Sequence, residues 1–174
     1  MMKKRLLLIG TCLAMITFSI TQVHSESNVV RADLSFQFVC KKDQALLEED
    51  IEKFLRERGF KVLNQARIQR EHRIFIKRME IIGLDASRRI INFNDLPPSQ
   101  DRYAVILNSP PPTKHDPQLE EALLEFVSTA LGCETRQAAR RENDAEAGAA
   151  YDSVVNRIEA LFRQAEELGG QRRL

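Results

Sequence analysis

The stretch "LSFQFVCKK", Leu34 to Lys42, decides how the rest of the chain is read. Ala32, Leu34, Phe36, Phe38 and Cys40 alternate with Asp33, Ser35 and Gln37. A period of two with aromatic content predicts a strand with one buried face. Cys40 falls at the end of that strand, in phase with its buried side. It is a nucleophile, a metal ligand or half of a disulfide, and the choice depends on where the protein lives.

The N-terminus bears on that choice. Lys3, Lys4 and Arg5 form a cationic start, and Leu6 to Ile20 is an apolar stretch. The stretch is too short to span a bilayer comfortably. Val23-His24-Ser25 then fits the −3 and −1 positions of a cleavage site. Together these features predict a secretory signal peptide over residues 1–25, with no transmembrane segment after cleavage. Removing 25 of the 174 residues leaves 149, one domain by length. The three leading cations leave too, so 23 Lys and Arg face 25 Asp and Glu, a net charge of −2. Such a balance supplies no long-range attraction to nucleic acid or to an anionic membrane surface.

Cys12 also leaves with the signal, and Cys40 and Cys133 remain. An even pair in an oxidising compartment predicts a disulfide. A catalytic thiol would need a base in reach. Only His72 and His115 remain in the mature chain, neither within a motif. Zinc or copper would need three or four clustered donors, which the spacing does not offer. No metal or cofactor is expected. No nucleophile elbow, phosphate loop or EF-hand loop is present in the sequence. Asp85, Asp95 and Asp101 are left as carboxylates that folding would have to bring together for hydrolytic chemistry.

Beyond the first strand, Asp43 is placed to cap a helix in which Leu47, Ile51, Phe54 and Leu55 recur, and Gly59 supplies the stop. The acidic run Glu48-Glu49-Asp50 reads as a solvated helix face. From Phe60 to Leu107 the pattern turns to strands. One is expected from Phe60, with Val62, Ala66 and Ile68 in one parity, and others near 73–83, 88–94 and 102–108. "YAVIL", Tyr103 to Leu107, is apolar on both faces and reads as an interior strand. Asp116-Pro117 starts a second helix with Leu119, Leu123, Phe126 and Val127 in its buried stripe, ending at Gly132. Residues 134–147 read as a polar linker or helix extension. Residues 148–168 read as an amphipathic helix carrying Tyr151, Val155, Ile158 and Phe162. Residues 169–174 read as a frayed tail.

The fold class expected is α+β: a mostly antiparallel sheet of about five strands with two or three helices on one face, in the order β-α-β-β-β-β-α-α, within 26–133 and the helix that follows. The disulfide and the strand count support each other. If the first strand ends at the top, a four-strand meander leaves the second helix running up, with Cys133 beside Cys40. One strand fewer would put Cys133 at the opposite end.

Charge is the one uneven feature. Lys61, Arg67, Arg70, Arg73, Lys77, Arg78, Arg88 and Arg89 stand against Glu71, Glu80 and Asp85, eight cations to three acids. On the polar side of a sheet such arginines can grip carboxylates or phosphates bidentately. The expected function is therefore an exported, periplasmic or secreted, non-enzymatic accessory or binding protein. Its partner would be an envelope protein or an anionic envelope component, met through the arginine-rich sheet face or the last helix. The alternatives are a small envelope hydrolase and a structural subunit that forms homo-oligomers through the last helix.

Overall fold

The computed structural model describes residues 33–71, 78–111, 116–140 and 148–171, without the side chains of 69–71, 137 and 168–171. Within them the chain runs β1 (Leu34–Val39), α1 (Gln44–Glu57), β2 (Lys61–Asn64), α2 (Gln65–Glu71), β3 (Glu80–Leu84), β4 (Ile90–Asp95), β5 (Arg102–Asn108), α3 (Pro117–Glu125), β6 (Glu134–Arg140) and α4 (Gly148–Gln171). Phe126–Ala130 continues α3 as a π-helical turn. The six strands form one antiparallel sheet in the order β2-β3-β4-β5-β1-β6.

β2 to β5 make the expected four-strand meander. β1 then inserts beside β5, with Phe36 opposite Val105 and Phe38 opposite Tyr103. The interior placement of β5 explains why its sequence is apolar on both faces. Alternation sorts the side chains. Leu34, Phe36, Phe38, Ile81, Ile91, Phe93, Val105 and Leu107 face α1 and α3. Each such large apolar side chain contributes roughly 1.5–3 kcal/mol on burial. Phe38 stacks on Tyr103 with ring centroids 5.1 Å apart, and Phe54 of α1 stacks on Phe126 at 4.0 Å.

Local chemistry sets the helix boundaries. Asp43 Oδ1 accepts the N–H groups of Ala45 and Leu46, which caps α1. Gly59 then takes a left-handed φ of +80°, a conformation that ends a helix cheaply only at glycine. Asp116 caps α3 in the same way, through Gln118 and Leu119. Gly83 has a different role. A Cβ there would meet Phe60 Cδ1 at 3.2 Å, so its bare backbone lets α1 and the start of β2 lie close to the sheet.

Cys133 reaches Cys40 as the meander requires. The two are joined in a disulfide with Cα atoms 4.7 Å apart. The bridge ties the end of β1 to the turn after α3.

Three segments differ from expectation. The strand from Phe60 stops at Asn64, and 65–71 form α2 instead. Asn64 Oδ1 accepts the Arg67 N–H at 2.8 Å, a helix N-cap, and the Gln, Ala and Arg that follow favour helix. Residues 134–140, read as linker or helix, form β6. Pairing with β1 overrides their helical composition. Finally, α1 and α3 share one sheet face, but α4 takes the other. Its Tyr151, Val155 and Ile158 pack on Ile82, Leu84 and Ile90. The first part of the strand expected near 73–83 falls in a segment, 72–77, outside the described residues.

Candidate functional site

The cations singled out by sequence do not share one face. Arg67 lies on α2 rather than on a strand, and its guanidinium pairs with Glu52 at 2.7 Å. Arg70 also lies on α2, but its side chain is outside the described set, as are Arg73, Lys77, His72 and His115. Arg78 precedes β3, where its carbonyl accepts the Gln44 side-chain amide. Arg89 is bound into the fold. Its Nε donates to Asp85 at 2.6 Å, and another guanidinium nitrogen donates to Asp116. That contact ties the β3–β4 turn to the N-cap of α3.

The acidic run on α1 is not the solvated face it resembles. Glu48 is buried. The Asn64 side-chain amide donates to Glu48 at 2.9 Å and to Glu52 at 3.0 Å, and Arg56 holds Glu52 at 2.8 Å. Residues 48 and 52 lie one turn apart beside the apolar stripe, facing the β2–α2 junction. Each carboxylate is hydrogen-bonded, as burial requires.

Of the three aspartates considered for hydrolytic chemistry, Asp85 lies at the opposite end of β4 from Asp95 and Asp101. Asp85 lies at the β3–β4 turn. Asp95 lies at the far end of β4 and accepts the Met79 N–H at 3.3 Å. Asp101 precedes β5 and accepts the Ser99 hydroxyl. Among the described residues, no group of three His, Cys, Asp or Glu is arranged to hold a metal ion. No described helix is long and apolar enough to cross a membrane.

Arg88 is the member of the cluster with unusual geometry. It adopts φ +63°, a left-handed conformation that costs a non-glycine residue about 1–2 kcal/mol. Two contacts hold it there. The Tyr151 hydroxyl donates to the Arg88 carbonyl at 2.6 Å, and the guanidinium pairs with Asp152 at 2.8 Å. Both partners come from α4. Tyr151 is fully buried, and burial raises the pKa of its hydroxyl far above the usual value. It also lies 3.1 Å from the Asn108 carbonyl, so one side chain fastens α4 to the β3–β4 turn and to the end of β5.

Beside Arg88 a groove of about 430 Å³ opens between α4 and the end of the β2–β3–β4 meander. Lys61, Arg88 and Arg163 line it together with Asp85, Glu159 and Glu166, over an apolar floor of Leu84 and Phe162. Part of the arginine cluster and the last helix, separate surfaces in the sequence, thus meet here. A second groove of about 560 Å³ runs between α1 and the π-helical turn, and a third of about 520 Å³ lies between α3 and β6. Sequence reasoning missed the last. Its components come from a helix and from a segment read as linker.

Comparison with family models, with curated proteins and with solved structures finds no match to this chain. What is in hand is the class of fold: an antiparallel α+β sheet, covered by helices on both faces and tied by one disulfide.

Proposed function

We propose that this is an exported, non-enzymatic accessory protein, periplasmic or secreted, that binds an envelope protein or an anionic envelope component at the groove between α4 and the β3–β4 turn. The observation that carries the reading is the meeting of Lys61, Arg88 and α4 in that groove. Arg88 keeps a strained backbone where glycine or asparagine would fit more easily, and such strain clusters at binding sites. The signal-like N-terminus and the Cys40–Cys133 bridge support the compartment.

Two observations weigh against the alternatives. The separation of Asp85 from Asp95 and Asp101 counts against a hydrolase that joins all three carboxylates. The apolar stripe of α4 is largely spent on the sheet, which counts against self-assembly through that helix.

The test is site-specific crosslinking from a photoreactive residue at Arg163, in a chain produced with its full leader. A partner captured in the envelope fraction, and lost in a Lys61→Glu/Arg88→Glu variant of unchanged thermal midpoint, is the expected result. Capture unaffected by the charge reversal would reject the groove as the contact.

A further inference from the structure

The α3–β6 groove has a charge imbalance that the other two lack. Glu120, Glu121 and Glu125 line it against a single cation, Arg140. Three carboxylates and one guanidinium leave a net charge of −2. Glu121 and Glu125 are exposed on the surface of α3, but Glu120 is different. It is only 3% exposed, and its Oε1 has no hydrogen-bond partner. The other oxygen, Oε2, accepts the Arg140 Nε at 2.7 Å.

That geometry is half of a carboxylate–cation contact. A guanidinium can serve both oxygens of a carboxylate through two parallel hydrogen bonds. Arg140 serves one. Leaving a buried carboxylate oxygen without a donor is costly, more so than for a neutral group. The Arg140 side chain is 59% exposed, so it can swing off toward water with little lost packing. The carboxylates are not grouped to hold a metal ion. They are spread along about a turn and a half of α3, which suits successive charges on an extended chain.

We infer that the groove between α3 and β6 takes a lysine- or arginine-bearing segment of a partner protein. One cationic side chain of that segment supplies the missing donor to Glu120. Its neighbours meet Glu121 and Glu125. Arg140 is the internal cation that occupies part of the site when the partner is absent. This surface is separate from the α4 groove, and it stands or falls independently of export.

The test uses the purified, disulfide-bonded chain and fluorescent hexalysine, followed by anisotropy at low salt. Wild type is expected to bind, with affinity falling at least about tenfold in Glu120→Gln, the scale of one hydrogen bond to a charged group. Glu121→Gln/Glu125→Gln should weaken binding similarly; if Glu120→Gln fails to fold, this exposed pair carries the test. Arg140→Gln should bind more tightly, because the competing cation is gone, whereas a merely structural ion pair would leave affinity unchanged. Glu159→Gln/Glu166→Gln on α4 should change nothing. Absence of hexalysine binding would overturn the inference. So would equal loss in the α4 variant, no loss in the α3 variants, or equally tight binding of spermine, which would point to a polyamine instead.

Discussion

Reducing the Cys40–Cys133 bridge should be the most destabilising mild treatment this protein can receive. The two residues are 93 apart in sequence. Closing a loop of that length removes enough freedom from the unfolded chain to contribute about 4–5 kcal/mol in the chain-entropy model. Domains of this size are stable by only about 5–15 kcal/mol in total, so a third or more of the net stability is at stake. The assay is urea denaturation of the wild-type chain with and without reductant, each sample equilibrated through the unfolded state because both cysteines are buried. Reduction should lower the midpoint by more than about 1 M and raise the m-value, since the uncrosslinked chain exposes more surface. The thermal midpoint should fall by roughly 10–20 °C. Cys40→Ala/Cys133→Ala should lose at least as much, because it also removes two buried sulfurs. A reduced protein within about 1 kcal/mol of the oxidised one, with the same m-value, would refute the reasoning.

Three further outcomes are expected. Tyr151→Phe strips a donor shared between the Arg88 and Asn108 carbonyls and should cost about 1–2 kcal/mol in urea denaturation; a change under about 0.3 kcal/mol would mean that α4 is not fastened there. Arg88→Gly relieves a left-handed arginine and loses only a solvent-exposed ion pair, so stability should stay level or rise by up to about 1 kcal/mol while partner capture at the α4 groove is lost. A clear destabilisation would show that the side chain serves the fold instead. Asp116 concerns acid stability. Burial alone would raise its pKa, but the N–H groups of Leu119 and Gln118 and the Arg89 guanidinium together hold it below the usual carboxylate value. A carboxyl depressed on folding contributes fully above its unfolded value of about 3.9, and that contribution is lost as pH falls through the lower folded value. Asp116→Asn should therefore flatten the acid limb of stability against pH; an unchanged slope below about pH 4 would contradict the role given to that cap.

Much of the architecture is legible in "LSFQFVCKK" and its surroundings. Phe36 and Phe38 mark the buried face of β1 by parity. Asp43 and Asp116 mark helix starts by cap chemistry. The requirement that Cys133 meet Cys40 selects a four-strand meander over three. The misreadings have a common cause, which is contact with residues distant in sequence. Nothing local says that Glu48 turns inward, because its partner Asn64 comes from a segment that alternates like a strand until its own side chain caps α2. Nothing in "ETRQAAR" favours β structure except the free edge of β1 beside it. The side taken by α4 depends on Ile82, Leu84 and Ile90, whose second apolar face is visible in sequence only as a run without alternation.

The arginine cluster was legible as composition and not as a surface. Arg67 and Arg89 are taken up by Glu52, Asp85 and Asp116; Arg88, itself paired with Asp152 of α4, and Lys61 are the described members of the cluster that line the α4 groove. The left-handed backbone of Arg88 could have been suspected from "LDASRR", a tight turn with no glycine or asparagine to take the positive φ.

The most direct measurement of the proposed export and of the disulfide together is non-reducing peptide mapping by mass spectrometry, on protein recovered from cells making the full-length chain. An N-terminal peptide beginning near Glu26, and one crosslinked pair carrying Cys40 and Cys133, are the results expected. An intact Met1 together with free thiols at both cysteines would contradict the compartment and the constraint that ties β1 to α3.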